Sequence, residues 1–311
     1  MAPDPQAGAE PGARRRRFEG QVALVTGSSR GYGRALSRAL AAEGASLVLN
    51  SRRSPVDGKR LAAELRETGA EAVYVATDIG EEANVRELAA LVERQFGRVD
   101  IVVHNAASGF ERSIEATTWP EFEQAMRVNT YALISLARHF GPLFPGRGKF
   151  LYVSSLGAGM GIAGYGAIGA AKAASEAVVR SLALEWAPRF QANSVRPNLI
   201  PSVSLRSFSW ADTLWKLLDE ESPLGVREEL GQLVDVALWL CSADSDYVTG
   251  QSINVDGGWS TTFCRDGLTT PDRPPAGVRR AAPEAVPEAA SEIRAETRAE
   301  SGPRAAAPRE E

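Results

Sequence analysis

The sequence predicts an α/β fold, a single doubly wound domain built on a parallel sheet and carrying a short helical lid. Two patterns predict it. From about residue 20 to residue 260, short apolar runs alternate with segments of helical period, the pattern of strands joined by crossover helices. The first apolar run, Gln21 to Thr26, also breaks into Gly27, Gly31 and Gly33 just before a helical segment. In that strand, turn and helix context, a glycine turn presents helix N–H groups to a pyrophosphate. At 311 residues the chain suits one such core of about 250 residues with flanking segments left over.

Residues 1–17 are small, Pro-rich and charged, and are expected to form a disordered leader ahead of a domain at 18–265. Gly27 and Gly31 suit a turn that needs positive φ or a close ligand, and Gly33 lets the following helix approach the strand. That helix runs to about Glu43 and stops at Gly44. The second strand, Ala45 to Asn50, ends in Ser51-Arg52-Arg53. At this point of a dinucleotide fold an acidic residue selects the free 2′-hydroxyl of NAD, and none is present. Arg52 and Arg53, with Arg30 from the turn, instead offer forked donors to a 2′-phosphate, which predicts NADPH.

Further helices are predicted over Asp57–Thr68, Glu81–Phe96, Glu121–Phe140, the stretch with Tyr165 and Lys172 to about Ala187, and Gly231–Cys241. Strands are predicted over Glu71–Thr77, Val99–His104, Lys149–Ser155, Asn193–Val195 and Gly250–Gly258. Residues 202–224, with Phe208, Trp210, Leu214, Trp215 and Leu218, read as an amphipathic lid over an apolar substrate or as a helix of the core or of an oligomer contact. From 266 the chain turns to Pro, Ala, Glu and Arg, a tail expected to be disordered.

Composition excludes several classes. A net charge of −4 gives no basic face for nucleic acid. No apolar stretch reaches a membrane span, and no apolar segment follows Arg14–Arg17 as a secretion signal requires, so a soluble cytoplasmic protein is expected. Cys241 and Cys264 are too few for a disulfide framework or a cysteine zinc cluster. His104 and His139 lack ligand spacing and read as structural, which argues against metal and against a Ser-His-Asp hydrolase.

Thr26-Gly27-Ser28-Ser29-Arg30-Gly31-Tyr32-Gly33 resembles the Thr-Gly-x3-Gly-x-Gly nucleotide motif of the short-chain dehydrogenase/reductase superfamily. Over residues 20–260 the resemblance implies a Rossmann-type oxidoreductase, a homodimer or homotetramer, in which Asp78-Ile79 meets the adenine. Asn105-Ala106-Ala107 resembles the superfamily's Asn-Ala-Gly turn, and Asn129 matches the asparagine that helps hold the active-site lysine through water. Ile200 falls where a backbone group meets the nicotinamide carboxamide, beyond a Pro197-Asn198 turn where the family commonly has glycine.

In most of the superfamily a serine, a tyrosine and a lysine do the chemistry, with the lysine four residues after the tyrosine. Here Ile168 is four before Lys172, and the nearest tyrosine is Tyr165, seven before it. Seven steps of about 100° return to nearly the same helix face, about 10 Å along the axis. This Tyr-x6-Lys spacing after Ser154-Ser155-Leu156-Gly157 resembles the NADPH-dependent enoyl-acyl-carrier-protein and enoyl-CoA reductases, some of which have a second tyrosine where Ser155 stands. The resemblance implies Ser154, Tyr165 and Lys172 as the active-site set, with Lys172 on the nicotinamide ribose, and an acyl thioester of a carrier protein or CoA as substrate. Two alternatives stay open: a carbonyl reductase acting on a polyketide-like ketone, and a noncatalytic NADPH-binding sensor or partner protein.

Overall fold

The computed structural model describes residues 16–200, 208–211, 213–216, 222–224 and 230–261. Leu218, most of the expected lid and most of both flanking segments lie outside them. Seven strands form one parallel sheet: β1 (Val22–Thr26), β2 (Ser46–Ser51), β3 (Ala72–Ala76), β4 (Ile101–His104), β5 (Gly148–Val153), β6 (Phe190–Pro197) and β7 (Ser252–Val255). Their order is β3-β2-β1-β4-β5-β6-β7, with parallel pairing throughout. The chain winds outward from β1 to β3, then returns to lay β4 on the other side of β1. The crevice at the carboxyl ends of β1 and β4 is the switch point at which such sheets bind ligands.

Helices cover both faces, so the central strands are buried on both sides and read as continuous apolar runs. Val25, Leu47, Leu49, Ile101 and Val195 face one layer, where α1 (Gly31–Ala42), α2 (Pro55–Glu67) and α7 (Leu230–Cys241) pack through Leu36, Leu61 and Leu233. Leu24, Val48, Val102, Phe150 and Phe190 face the other, against α3 (Glu82–Phe96), α5 (Ala132–Phe140) and α6 (Gly166–Glu185) through Leu88, Leu136 and Val179. Gly97 caps α3 in the left-handed conformation at φ 69°, the stop expected from its sequence position. No helix among the described residues is long and apolar enough to cross a membrane.

Four details depart from the sequence expectation. The sixth strand is longer than its apolar signal because its polar residues are buried with partners. Asn193 Nδ2 donates to the Val248 carbonyl at 2.7 Å, and the Ser194 and Ser252 hydroxyls lie 2.6 Å apart. The helix expected over 121–140 is α4 (Trp119–Met126) joined to α5 by a π-helical turn, Arg127–Tyr131, that contains Asn129. Tyr165 is the N-cap of α6 rather than a residue within it. Arg17, placed in the leader, joins the domain instead, because its guanidinium fork meets Glu43 at the end of α1, with Nη2 to Oε1 at 2.6 Å.

Candidate active site

The nucleotide turn is built by close approach. Gly27 has φ 65°, and a Cβ there would lie 2.9 Å from Ala106 Cα; a Cβ on Gly33 would lie 2.5 Å from the Gly27 carbonyl oxygen. Only glycine fits both places, so the turn after β1, the start of α1 and the loop after β4 meet backbone to backbone. Thr26 Oγ1 accepts from the Asn105 and Ala106 N–H groups, both at 3.1 Å, while Asn105 Nδ2 donates to the Thr26 and Gly27 carbonyls. Asn105 therefore acts as the strut that ties the two strand ends. Ser29 is buried in the turn, and α1 begins at Arg30 and Gly31 with no side-chain cap and no acid in its first turn. The positive end of that helix remains available to an anion.

At the end of β2, Arg52 and Arg53 are exposed, as is Arg30 across the turn. The turn and strand are latched by Ser28, whose N–H donates to the Asn50 carbonyl at 3.0 Å and whose Oγ accepts from the Asn50 N–H at 3.0 Å. Arg52 Nη1 donates to Asp78 Oδ2 at 2.7 Å. Desolvation at this carboxyl is outweighed by the Arg52 and Gly80 hydrogen bonds, and the Asp78 pKa is lowered. Asp78 thus orients Arg52, while the neighbouring Ile79 is buried in the core. Ile200 is half-buried and packs against the apolar cluster that includes α7.

Lys172 is 4% exposed, and its Nζ donates to the Val153 carbonyl at 2.7 Å above the Tyr152 ring, 4.8 Å from the centroid. Burial pulls its pKa down to about 7, with Glu176 opposing the shift. Tyr165 sits at the start of the same helix. A Cβ on Gly157 would lie 2.6 Å from Tyr165 Cδ1, so that glycine makes room for the ring. Burial raises the phenol's pKa and a hydrogen bond with Ser155 partly offsets it, so at neutral pH Tyr165 is a proton-bearing donor. Phe208 and Trp210 cover it, with ring centroids 6.0 and 6.4 Å away. The Trp210 Nε1 is buried without a hydrogen-bond partner. Glu111 fastens this aromatic cover by accepting from the Ser209 N–H at 2.6 Å and from the Ser209 hydroxyl.

The two serines after β5 take different partners. Ser154, expected in the active-site set, donates its hydroxyl to Glu176 Oε1 at 2.6 Å. Ser155 Oγ accepts from the Gly157 N–H at 3.2 Å and is the serine that lowers the phenol's pKa. Adjacent residues at a strand end project to opposite sides, so spacing from the lysine could not choose between them. Asn129 is brought close as a brace: its Nδ2 donates to the Ser108 and Ala125 carbonyls at 2.7 and 2.8 Å. Its backbone carbonyl accepts from Ser175 Oγ at 3.0 Å and lies 3.2 Å from His104 Nε2, and its own Oδ1 is buried without a partner. His104 is buried and held neutral, its pKa pushed down to about 3 by desolvation and by Lys172. His139 Nε2 lies 3.1 Å from Glu82 Oε1. Glu176 and Gly157 carried no signal that the sequence alone made legible. Among the described residues no group of acidic, His or Cys side chains could hold a metal ion.

A glycine-cradled crevice at the switch point, with a buried lysine and a proton-bearing tyrosine beside it, defines a nicotinamide-dependent oxidoreductase of the Rossmann type. The family model described as Enoyl-(Acyl carrier protein) reductase matches residues 27–260, and the chain belongs to the short-chain dehydrogenase/reductase superfamily. It is 31% identical over 254 residues to a hydroxynaphthalene reductase of Aspergillus fumigatus, covering 75% of this chain and 90% of that protein. It is 34% identical over 251 residues to a tropinone reductase homolog of Arabidopsis thaliana, covering 78% and 91%. The crystal structure of a gluconate 5-dehydrogenase from Burkholderia cenocepacia, in complex with NADP and tartrate, superposes with a TM-score of 0.73 at 29% identity, covering 80% of this chain and 98% of that one.

Proposed function

We propose that the chain is an NADPH-dependent reductase of the α,β double bond of an enoyl thioester. The glycine cradle of Gly27 and Gly33, the uncapped start of α1 and the three exposed guanidinium groups fit the pyrophosphate and the 2′-phosphate of that cofactor. Arg52, Arg53 and Arg30 would hold the phosphate, and Lys172 the nicotinamide ribose. When bound, the reduced nicotinamide supplies the hydride.

The observation that carries the reading is the placement of the proton donor. One helical turn before Lys172, where a ketone-reducing arrangement would put a phenol, stands Ile168. It is buried, and a Cβ on Gly109 would lie 2.3 Å from its Cγ1. The donor Tyr165 is displaced to the N-cap of the helix. Hydride addition to a ketone builds charge on the oxygen of the attacked carbon, whereas addition to the β-carbon of an enoyl thioester moves the electron pair through the conjugated system to the thioester oxygen. A donor set back along the helix suits the second case. Tyr165 stabilises the developing enolate oxygen, the Lys172 ammonium adds positive charge, and Phe208 and Trp210 keep water from the phenol.

Carbonyl reduction is the second reading, favoured by the names of the two relatives. NADPH consumption with crotonyl-CoA, with an enoyl carrier protein and with a panel of cyclic ketones separates the two. Turnover of enoyl thioesters alone supports the first, and turnover of ketones alone replaces it with the second.

A further inference from the structure

Behind Lys172 lies a charged cluster that the proposed chemistry does not use. Glu176 is 2% exposed, one turn beyond Lys172 on α6. Its Oε1 accepts from Ser154 Oγ at 2.6 Å and from Arg196 Nε at 2.6 Å, and its Oε2 accepts from Arg196 Nη2. A carboxylate this deep is costly unless paired and hydrogen-bonded, and here each oxygen has a donor. Helix stability does not account for it, because a lysine placed four residues before a glutamate is the weaker order of that pair. We propose that Glu176 is a positioning residue that supplies the buried counter-charge to Lys172, with Arg196 and Ser154 holding its carboxylate in place.

The groups around Lys172 leave this role to Glu176. From β5 it meets the Val153 carbonyl and the face of Tyr152, and its charge acts on the neutral His104 of β4. Tyr165, at the helix start, keeps its proton because burial raises its pKa. Arg196, on β6, is the other cation, and its guanidinium is engaged by Glu176, which raises its pKa. Among these described groups Glu176 alone is anionic. It opposes the desolvation that draws the Lys172 pKa down to about 7. Residues four apart on a helix share a face, with Cβ atoms about 5–6 Å apart, and a nearby opposite charge favours its neighbour's charged form by about one pKa unit or more.

The inference rests on the reading of Lys172 as a cofactor ligand, and the experiment separates the two. The chain has four lysines, Lys59, Lys149, Lys172 and Lys216, so a spectrum of protein labelled with ¹³C at lysine Cε is short, and Lys172→Met assigns the signal. In Glu176→Gln, which keeps acceptor capacity and loses the charge, the Lys172 midpoint is expected to fall by about one pH unit. Arg196→Lys, which loosens the brace and keeps the Glu176 charge, should leave it in place even if Tm drops. An unchanged midpoint in Glu176→Gln overturns the proposal. If that variant does not fold, Glu176→Gln is combined with Arg196→Met and its midpoint is compared with that of Arg196→Met alone, so that the difference reports the Glu176 charge. NADPH affinity is measured across the same pH range. A lowered midpoint that leaves the pH dependence of NADPH binding where it was upholds the Glu176 coupling and rejects Lys172 as a cofactor ligand.

Discussion

Replacing Tyr165 by Phe removes one oxygen and leaves the ring. The ring rests on Gly157 and beneath Phe208 and Trp210, contacts that involve only carbon and survive the change. The stability cost is the lost interaction of the hydroxyl with Ser155, at most that of one hydrogen bond, about 0.5–1.5 kcal/mol. For a domain of this size that lowers Tm by a few degrees, on the order of 2–4 °C per kcal/mol. Under the proposed function the catalytic cost is larger, because the phenol is there the donor to the developing enolate. Removal of one such donor lowers kcat by about 10²–10³, or about 2.7–4 kcal/mol. NADPH binding should be unchanged, since the phosphate donors lie at the ends of β1 and β2. The assay is NADPH oxidation at saturating cofactor with the best enoyl thioester, alongside a fluorescence titration of NADPH. An unaltered kcat would refute Tyr165 as the donor, and a Kd that rose with the fall in kcat would show instead that the substitution disturbs the cofactor site.

Three further outcomes follow from the same geometry. In the Arg52→Ala, Arg53→Ala double variant, NADPH Kd should rise about tenfold or more while NADH Kd stays constant, since each lost charge-assisted bond is worth about 1.5–3 kcal/mol; parallel titrations of the two cofactors check it. Gly33→Ala puts a Cβ 2.5 Å from the Gly27 carbonyl, and urea unfolding should show a loss of about 1–3 kcal/mol together with weaker NADPH binding. Lys172 is charged below its pKa of about 7 and neutral above it, so NADPH affinity should decline as pH rises through that value; a flat titration from pH 6 to 9 would exclude the ammonium from cofactor binding.

The sequence by itself determined the order of strands and helices, the class of fold and the place of the nucleotide turn. These follow from local causes: the period of apolar residues, glycines where backbone must approach backbone, and a Gly stop after α3. It also singled out Lys172 and the arginines after β2 as candidates, and Tyr165 by its spacing from the lysine, although that residue stands at the N-cap of α6 rather than within the helix. Tertiary structure decided which partner each side chain takes. Ser154 and Ser155 are neighbours in the chain, yet one donates to Glu176 and the other accepts from the Gly157 N–H, since successive residues at a strand end face opposite sides. Asn105 and Asn129 prove to be struts between segments 79 and 21 residues apart in the chain. The cluster of Glu176, Arg196 and Ser154 joins a helix to the ends of two strands, and no periodicity in any one of them announces the meeting. A buried charge is recognised only by what surrounds it, and those surroundings exist only once the sheet and its helices are packed together.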